Sequence, residues 1–310
     1  MMEQTTLTRA RSTSRGTLGI LGMLLLALGA ASTADARVVH RERSVYSTIL
    51  VDRQGPVLCM QFSVRRDQRN QSCLNERRPR EMLFPYTRMM MASLLVNPEP
   101  QRALTIGLGG GTLPLALDEL YPTLKQDVVE IDPAVTRVAR EWFGFKPSAR
   151  VRVIEQDGRV FAKRARSREE RYDLILLDAF NGDYIPEHLM TREFLEEIRD
   201  LLAPGGVVVA NTFSISGLYA AESATYAAVF GSFLNLKPWD SGNRVIIAAR
   251  GDLPDATTLA ERAQTLGPRL TPYGIRLGEL LPLMKTTQDW PADATVLTDQ
   301  YAPANLLQTQ

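Results

Sequence analysis

A glycine-rich segment and several acidic residues follow short apolar runs of the chain, and this spacing suits a nucleotide site. The run Ala103–Gly107 continues into Leu108-Gly109-Gly110-Gly111-Thr112, and the run Asp127–Ile131 ends in Glu130-Ile131-Asp132. Glycines let a backbone approach a ligand closely, and a carboxylate at the next strand end can accept hydrogen bonds from both ribose hydroxyls. A glycine loop alone also fits a simple tight turn, but together the two segments predict an adenosine-type ligand.

Three further segments continue the same order along the chain. Asp157-Gly158 follows a third apolar run, Asp178-Ala179-Phe180 follows a fourth, and Pro204-Gly205-Gly206 precedes a fifth. A carboxylate at position 157 could read an adenine amino group. A nicotinamide dinucleotide is the rival ligand, but its Gly-x-Gly-x-x-Gly pattern is broken because Thr112 stands at the third glycine position. The pattern therefore favours a nucleoside cofactor over a dinucleotide.

The elements that must position these residues alternate between strand and helix. Strands are predicted at Ala103–Gly107, Asp127–Ile131, Val151–Ile154, Tyr172–Leu177, Val207–Asn211 and Arg244–Ala249. Helices are predicted at Leu113–Leu120, Ala134–Phe143, Thr191–Leu202 and Ala221–Leu234. Such alternation is typical of βαβ units, so we expect an α/β fold with a doubly wound, mostly parallel sheet that is covered on both faces.

The chain before this alternating region reads differently. Ser44–Val51 and Val57–Phe62 are predicted strands on either side of a Gly-Pro turn, and Met82–Leu95 is a predicted helix whose methionines fill a core. We therefore expect a small N-terminal β-region at 37–80, a Rossmann-like nucleotide-binding domain at 81–250 and a C-terminal extension at 251–310. The extension is Pro-rich, and its pattern predicts no particular fold.

From Thr105 to Asn211 the sequence resembles the spermidine synthase (aminopropyltransferase) family, a branch of the class I S-adenosylmethionine-dependent methyltransferase fold, and the resemblance reaches back to about Tyr46. In that family decarboxylated S-adenosylmethionine donates an aminopropyl group to putrescine. The resemblance implies that Glu130 binds ribose, that Asp157 binds adenine and that Asp178 accepts the proton of the attacking amine. The implied cofactor-binding residues are Gly107, Gly109, Gly110, Gly111, Glu130, Asp132, Asp157 and Gly158, and the implied substrate residues are Gln71, Tyr86, Asn181 and Asp183.

Two positions depart from the family pattern. The family's glycine loop carries an aspartate that binds the donor's ammonium, and here that position is Gly110. The second acid of the family's Asp-Ser-Ser-Asp-Pro motif is Asn181, although Asp183 lies two residues further on. Each lost acid removes a charge-assisted hydrogen bond worth about 1.5–3 kcal/mol. The resemblance thus implies a spermidine synthase-like transferase, while a small-molecule methyltransferase and a non-catalytic nucleotide-binding relative stay open.

Composition limits the other partners. Lys and Arg total 36 against 35 Asp and Glu, so the net charge is +1 and offers no electrostatic footprint for nucleic acid. The two cysteines and two histidines show no metal-ligand spacing, so we expect no metal. His188 has no apparent partner and is expected at the surface or at a helix start. The expected partner is a small-molecule amine or another small acceptor, and a homodimer is one open arrangement.

The first 36 residues have the order of a secretory signal. Three arginines precede the apolar run Thr17–Ala31, and small residues precede a cleavage position after Ala36. The run is shorter than the ~20 apolar residues of a spanning helix. We expect either an exported protein or one anchored through residues 17–31, and a cytoplasmic protein if the start site is misassigned.

The two cysteines bear on the same question. Cys59 lies in a predicted strand, and the family resemblance places Cys73 in the returning strand of a hairpin centred near Arg66. In that register the two side chains face each other, and an oxidising compartment would preserve a disulfide between them. The alternative is two unpaired thiols that behave as small core residues.

Overall fold

The computed structural model describes residues 37–63, 70–180, 185–214, 217–238 and 241–302. The predicted targeting segment, residues 1–36, lies outside this part of the chain. Asn181, Asp183 and the predicted centre of the hairpin at Arg66 also lie outside it. In the described ranges, no helix combines the length and the apolar character needed to cross a membrane.

The N-terminal region is a four-stranded antiparallel sheet in the order β1-β2-β3-β4. Its strands are β1 Arg37–Arg43, β2 Thr48–Gln54, β3 Val57–Ser63 and β4 Asn70–Asn75. Alternate residues of the middle strands, Ile49 with Val51 and Leu58 with Met60, are buried against the central domain. This period of two gives the small sheet one core-facing side. Within the described chain β1 pairs with β2 alone, so its outer edge is open.

Cys59 of β3 and Cys73 of β4 are direct cross-strand partners. They form a disulfide with a Cα–Cα distance of 4.1 Å. The predicted hairpin register is thus confirmed, and of the two open alternatives for the cysteines the structure contains the disulfide.

The central sheet has seven strands in the order β10-β11-β9-β8-β5-β6-β7. They are β5 Arg102–Ile106, β6 Lys125–Glu130, β7 Val151–Glu155, β8 Tyr172–Leu177, β9 Leu202–Phe213, β10 Leu234–Leu236 and β11 Asn243–Ala249. The strands from β9 to β7 are parallel, and β10 and β11 add an antiparallel edge. The predicted doubly wound, mostly parallel α/β fold with a small N-terminal β-region is confirmed.

Helices cover both faces of this sheet. They are α1 Pro85–Met90, α2 Thr112–Leu120, α3 Pro133–Trp142, α4 Gly158–Ser167, α5 Arg192–Leu201, α6 Leu218–Phe230, α7 Ala256–Leu270 and α8 Leu277–Leu280. In β8, Leu174 and Leu176 belong to the core on one face, whereas Ile175 and Leu177 belong to the core on the other. Burial on both faces explains why the parallel strands appear in the sequence as continuous apolar runs.

Several local predictions were inaccurate, and three of them have a clear physical reason. The helix predicted at Met82–Leu95 begins at Pro85, which suits a first helical position, and continues as a 3₁₀ turn over Met91–Leu95. Helix α4 was missed because its apolar face is only Phe161, Ala162 and Ala165 among several cations. The Pro-Gly-Gly segment lies inside β9, which bulges between the pairs Tyr172–Leu202 and Leu174–Val207.

The C-terminal extension, for which the sequence predicted no fold, packs against both cores. Leu259, Leu266 and Leu270 of α7 join the core that contains α1 and α2. Leu297 joins the opposite core, and its N–H donates to Thr225 Oγ1 over 2.9 Å. The chain end is therefore part of the folded domain and holds the helices that flank the candidate site.

Candidate active site

A cleft of about 700 Å³ opens at the carboxyl ends of the parallel strands. Its walls come from the ends of β5, β6, β8 and β9, from β4 of the N-terminal sheet and from the turn before α1. Ligands of doubly wound sheets bind at this edge, where neighbouring strand ends diverge. The cleft therefore lies where the sequence placed the chemistry.

The glycine loop forms the floor of the cleft next to Asp178. Gly107 has a φ of 96°, and a Cβ atom there would lie 2.3 Å from the carbonyl oxygen of Asp178. Only glycine combines this left-handed backbone with such close contact between two strand ends. Gly107, Gly109 and Gly158 line the cleft. Gly110 and Gly111 lie behind the loop, against Phe143 and Phe145 respectively.

The position where the family carries its donor-binding acid is filled by other side chains. A Cβ on Gly110 would lie 2.6 Å from Ser72 Oγ and 3.0 Å from Phe143 Cδ1. Contacts under 3.0 Å force a neighbouring atom to move. A side chain at position 110 would therefore require the Ser72 hydroxyl to shift and would pack tightly against Phe143.

Glu130 ends β6 and is buried in the wall of the cleft. Its Oε2 accepts the N–H of Leu108 over 3.0 Å, and its Oε1 accepts the N–H of Asp132 over 2.9 Å. Burial raises the pKa of Glu130 although these donated N–H groups oppose the shift. The N–H of Ile131 also donates to this carboxylate, which has about four acceptor sites and so keeps one that a sugar hydroxyl could use.

Asp132 links helix α3 to the N-terminal sheet through hydrogen bonds. It caps α3 by accepting the N–H of Ala134 over 2.9 Å, and it accepts the hydroxyl of Ser44 over 2.5 Å. Ser44 lies in the turn between β1 and β2. Asp132 therefore fixes that turn at the rim of the cleft.

Asp157 caps α4 and also contacts a histidine. Its Oδ1 accepts the N–H of Val160 over 2.9 Å, and its Oδ2 lies 2.9 Å from Nε2 of His188. Burial opposes ionisation of Asp157, but these two contacts outweigh it and lower its pKa. His188, expected at the surface or at a helix start, has a half-exposed side chain in the 3₁₀ turn Glu187–Leu189, between β8 and α5. The sequence showed no partner for it, and the structure supplies Asp157.

Asp178 follows β8 and is held by two neutral donors. Asn211 Nδ2 donates to its Oδ1 over 3.0 Å, and the phenol of Tyr86 donates a second hydrogen bond. Burial raises the pKa of Asp178 to about 7, against the lowering effect of these bonds. Burial and the neighbouring carboxylate hold the pKa of Tyr86 well above its usual value, so its phenol remains a donor.

Aromatic rings flank this carboxylate on two sides. Phe84 stacks on Tyr86 with ring centroids 5.7 Å apart, and Phe180 meets Phe213 edge-on at 5.4 Å. All four rings line the cleft, as does Gln71. Apolar walls around one carboxylate suit the aliphatic stem of an amine.

Asn211 and Asn243 are site residues that the sequence reasoning did not assign. Asn243 Nδ2 donates to Asn211 Oδ1 over 3.0 Å, which leaves the amide nitrogen of Asn211 directed at Asp178. The available signal was their position near the ends of β9 and β11. The sequence pattern did not predict that these two residues lie near each other, because β11 pairs with β9 in the antiparallel direction.

The charge of the cleft is negative. Among the described residues that line it, the carboxylates are those of Glu130, Asp132, Asp157 and Asp178, and none is a lysine or arginine. A pocket of this composition attracts cationic ligands. In the described ranges, no three His, Cys, Asp or Glu side chains cluster as metal ligands.

Comparison with known proteins identifies the family. The spermine/spermidine synthase domain matches residues 83–230. The polyamine aminopropyltransferase of Vibrio vulnificus (strain CMCP6) is 47% identical over 290 residues, which cover 93% of this chain and 97% of that protein. The chain belongs to the spermine/spermidine synthase family.

Solved structures share the fold of this chain. A probable spermidine synthase from Corynebacterium glutamicum ATCC 13032 superposes with a TM-score of 0.63 at 21% identity, covering 84% of this chain and 99% of that one. Human methyltransferase-like protein 13 in complex with SAH gives a TM-score of 0.55 at 26% identity, covering 68% and 96% of the two chains. The expected family and its methyltransferase-like fold are confirmed. The ligand roles of the individual residues remain predictions.

Proposed function

We propose that this chain transfers an aminopropyl group from decarboxylated S-adenosylmethionine to a small amine, with Asp178 as the general base. The observation that carries the proposal is the environment of Asp178, a carboxylate in the cleft wall with a pKa near 7. A base of that pKa can take a proton near neutral pH and release it afterwards. Family membership and the polyamine aminopropyltransferase relative support the same reaction.

The cleft fits an adenosyl sulfonium donor. Glu130 would accept the ribose hydroxyls, and Asp157 would accept the adenine amino group, because both carboxylates line the same wall. The absence of Lys and Arg from the described lining favours a cationic donor without a carboxylate. The donor would supply an activated carbon beside its sulfur.

The residues around Asp178 would manage one proton. The amine nitrogen forms a bond to the donor carbon as the carbon–sulfur bond breaks, and methylthioadenosine leaves. The proton lost by that nitrogen passes to Asp178. Tyr86 and Asn211 hold the carboxylate in place through hydrogen bonds. Both donors are neutral before and after the proton moves, so they can keep this position throughout the reaction.

Methyl transfer is the second candidate, and one observation favours it. Gly110 stands where the family carries its ammonium-binding acid, and Ser72 and Phe143 pack close to that position. A donor with a full methionine tail needs no acid there. The SAH complex of human methyltransferase-like protein 13, which shares this fold, is consistent with that alternative.

We further propose that the protein is exported or anchored through residues 17–31. The Cys59–Cys73 disulfide supports an oxidising compartment. Non-reducing peptide mapping of protein from its native host, with N-terminal sequencing, would test this. Alkylatable thiols on a chain that retains residues 1–36 would instead favour the cytoplasm. A homodimer is also proposed, and light scattering of the purified protein would test it.

The reaction itself can be tested by product analysis. Full-length protein is incubated with putrescine and either decarboxylated S-adenosylmethionine or S-adenosylmethionine, and nucleoside products are separated. We expect methylthioadenosine from the decarboxylated donor, and turnover lowered by about 10²–10⁴-fold in Asp178→Asn. Asp200→Asn, at a partly exposed acid of α5 that pairs with Arg166, is the matched control. S-adenosylhomocysteine as the main product would establish methyl transfer, and no product with any amine would indicate a non-catalytic relative.

A further inference from the structure

His188 lies in the wall of the cleft and has no part in the proton chemistry. Its Nε2 is 2.9 Å from Asp157 Oδ2, and both residues line the same cavity. A carboxylate only accepts hydrogen bonds, so Nε2 is the ring nitrogen that carries the hydrogen in this pair. His188 therefore contacts the group that would read the adenine edge.

Donors on both oxygens fix the orientation of Asp157. The N–H of Val160 donates to Oδ1 at the start of α4, His188 Nε2 donates to Oδ2, and the N–H of Arg159 adds a third donor. With Val160 on one oxygen and His188 on the other, the carboxylate cannot rotate freely about its Cβ–Cγ bond. Of about four acceptor sites on a carboxylate, one is left for a ligand.

The turn that carries His188 is itself held in place. The carbonyl oxygen of His188 accepts a hydrogen bond from Arg159 Nη1 over 3.2 Å. Arg159 is buried and makes paired hydrogen bonds of 2.6 and 2.7 Å to Asp299 and of 3.1 Å each to Glu197. The histidine is thus positioned through a bidentate network that reaches the C-terminal segment.

We propose that His188 is a positioning residue that sets the base specificity of the nucleoside site by fixing the Asp157 carboxylate. The proposal rests on the proposed function, since it requires a nucleoside at Asp157. A fixed carboxylate accepts the 6-amino group of adenine and opposes the 6-oxo group of hypoxanthine, whose oxygen is another acceptor. A carboxylate free to rotate would turn away from the 6-oxo group and discriminate less.

The test compares two neutral nucleosides, 5′-methylthioadenosine and 5′-methylthioinosine, by calorimetric titration of the full-length protein. We expect the wild type to prefer the adenine compound by at least tenfold. In His188→Ala that preference should fall at least fivefold. His188→Gln should keep most of it, because its amide can still donate to Asp157. His40→Ala, which alters the other histidine on β1, is the matched control.

Two results would overturn the inference, and they can be told apart. If the wild type discriminates but His188→Ala retains the full ratio, His188 forms only a surface ion pair and the proposed function is untouched. If the wild type itself shows no preference, the adenine role of Asp157 fails and the nucleoside site of the proposed function fails with it. The side chain of His188 is 47% exposed, so the variants should fold, and thermal melting would check this.

Discussion

Asn211 Nδ2 donates a hydrogen bond to Asp178 Oδ1 over 3.0 Å, and Asn243 orients that amide from the neighbouring strand. An amide stabilises the carboxylate without the strong Coulombic pull of an arginine or lysine. This is why burial prevails and the pKa of Asp178 rises to about 7 instead of falling. The arrangement suits a group that must exchange a proton near neutrality.

The pH profile of the reaction should follow this carboxylate. We expect kcat/KM to rise with pH and level off above an inflection near 7, because only ionised Asp178 accepts the amine proton. Tyr86→Phe removes a donor that stabilises the ionised form, so the inflection should move upward by about 1–2 pH units. Steady-state rates over pH 5–9 measure both values. An inflection that stays in place in the variant would show that Tyr86 does not donate to Asp178.

The same carboxylate should make the folded state less stable as pH rises. Its pKa is about 7 in the folded protein and 3.8 in the reference state, so the unfolded chain releases the proton first. The free energy of unfolding should therefore fall between about pH 4 and pH 7 and stay constant at higher pH. The total decrease has an upper limit of about 4 kcal/mol. Asp178→Asn should be more stable than the wild type at pH 8, and the two should converge at pH 4. Urea unfolding at the two pH values tests this, and an equal difference at both would contradict it.

Substitution of Glu130 should weaken ligand binding. Glu130→Gln replaces one accepting oxygen with an amide group that faces the N–H of Leu108 or Asp132. We expect methylthioadenosine to bind about 10- to 100-fold more weakly, equivalent to about 1.5–3 kcal/mol. Glu155→Gln, on the neighbouring strand end and paired in register with Glu130, is the control. Calorimetry that finds both variants equal to the wild type would remove Glu130 from the ribose site.

Donor choice should be weak because Gly110 offers no acid to the donor's ammonium. We expect decarboxylated S-adenosylmethionine to bind less than 100-fold more tightly than S-adenosylmethionine, a difference below about 2.7 kcal/mol. Gly110→Asp should not increase this preference, since its side chain would collide with Ser72 and Phe143. Competition titrations give both ratios. A larger preference in the wild type would mean that another acid binds the ammonium.

The disulfide should contribute to stability and respond to reductant. It closes a loop with a sequence separation of 14 residues, for which chain entropy predicts about 3 kcal/mol. The double variant Cys59→Ser, Cys73→Ser should lose about that much free energy of unfolding. Dithiothreitol should lower the stability of the wild type and leave the variant unchanged. If dithiothreitol leaves the free energy of unfolding of the wild type unchanged, the disulfide does not form in solution.

The fold was predictable because its strands are continuous apolar runs and its glycines and acids mark their ends. Glu130, Asp157 and Asp178 could be placed in one cleft on that basis, since parallel strand ends share an edge. Asn211, Asn243 and His188 could not, because their roles depend on an antiparallel neighbour and on a turn that returns across the chain. The packing of Ser72 against Gly110 could not be predicted either, since it joins β4 of the small sheet to the loop after β5.

The open edge of β1 bears on how copies of this protein can meet. Arg37, Arg41 and Arg43 are exposed along that strand. If two copies joined their sheets edge to edge in antiparallel fashion about His40, Arg37 of each copy would lie opposite Arg43 of the other. Like charges placed in this way disfavour strand addition and protect a bare edge from aggregation. Among the described residues this edge is unpaired, and its charge pattern favours contacts between copies through another surface.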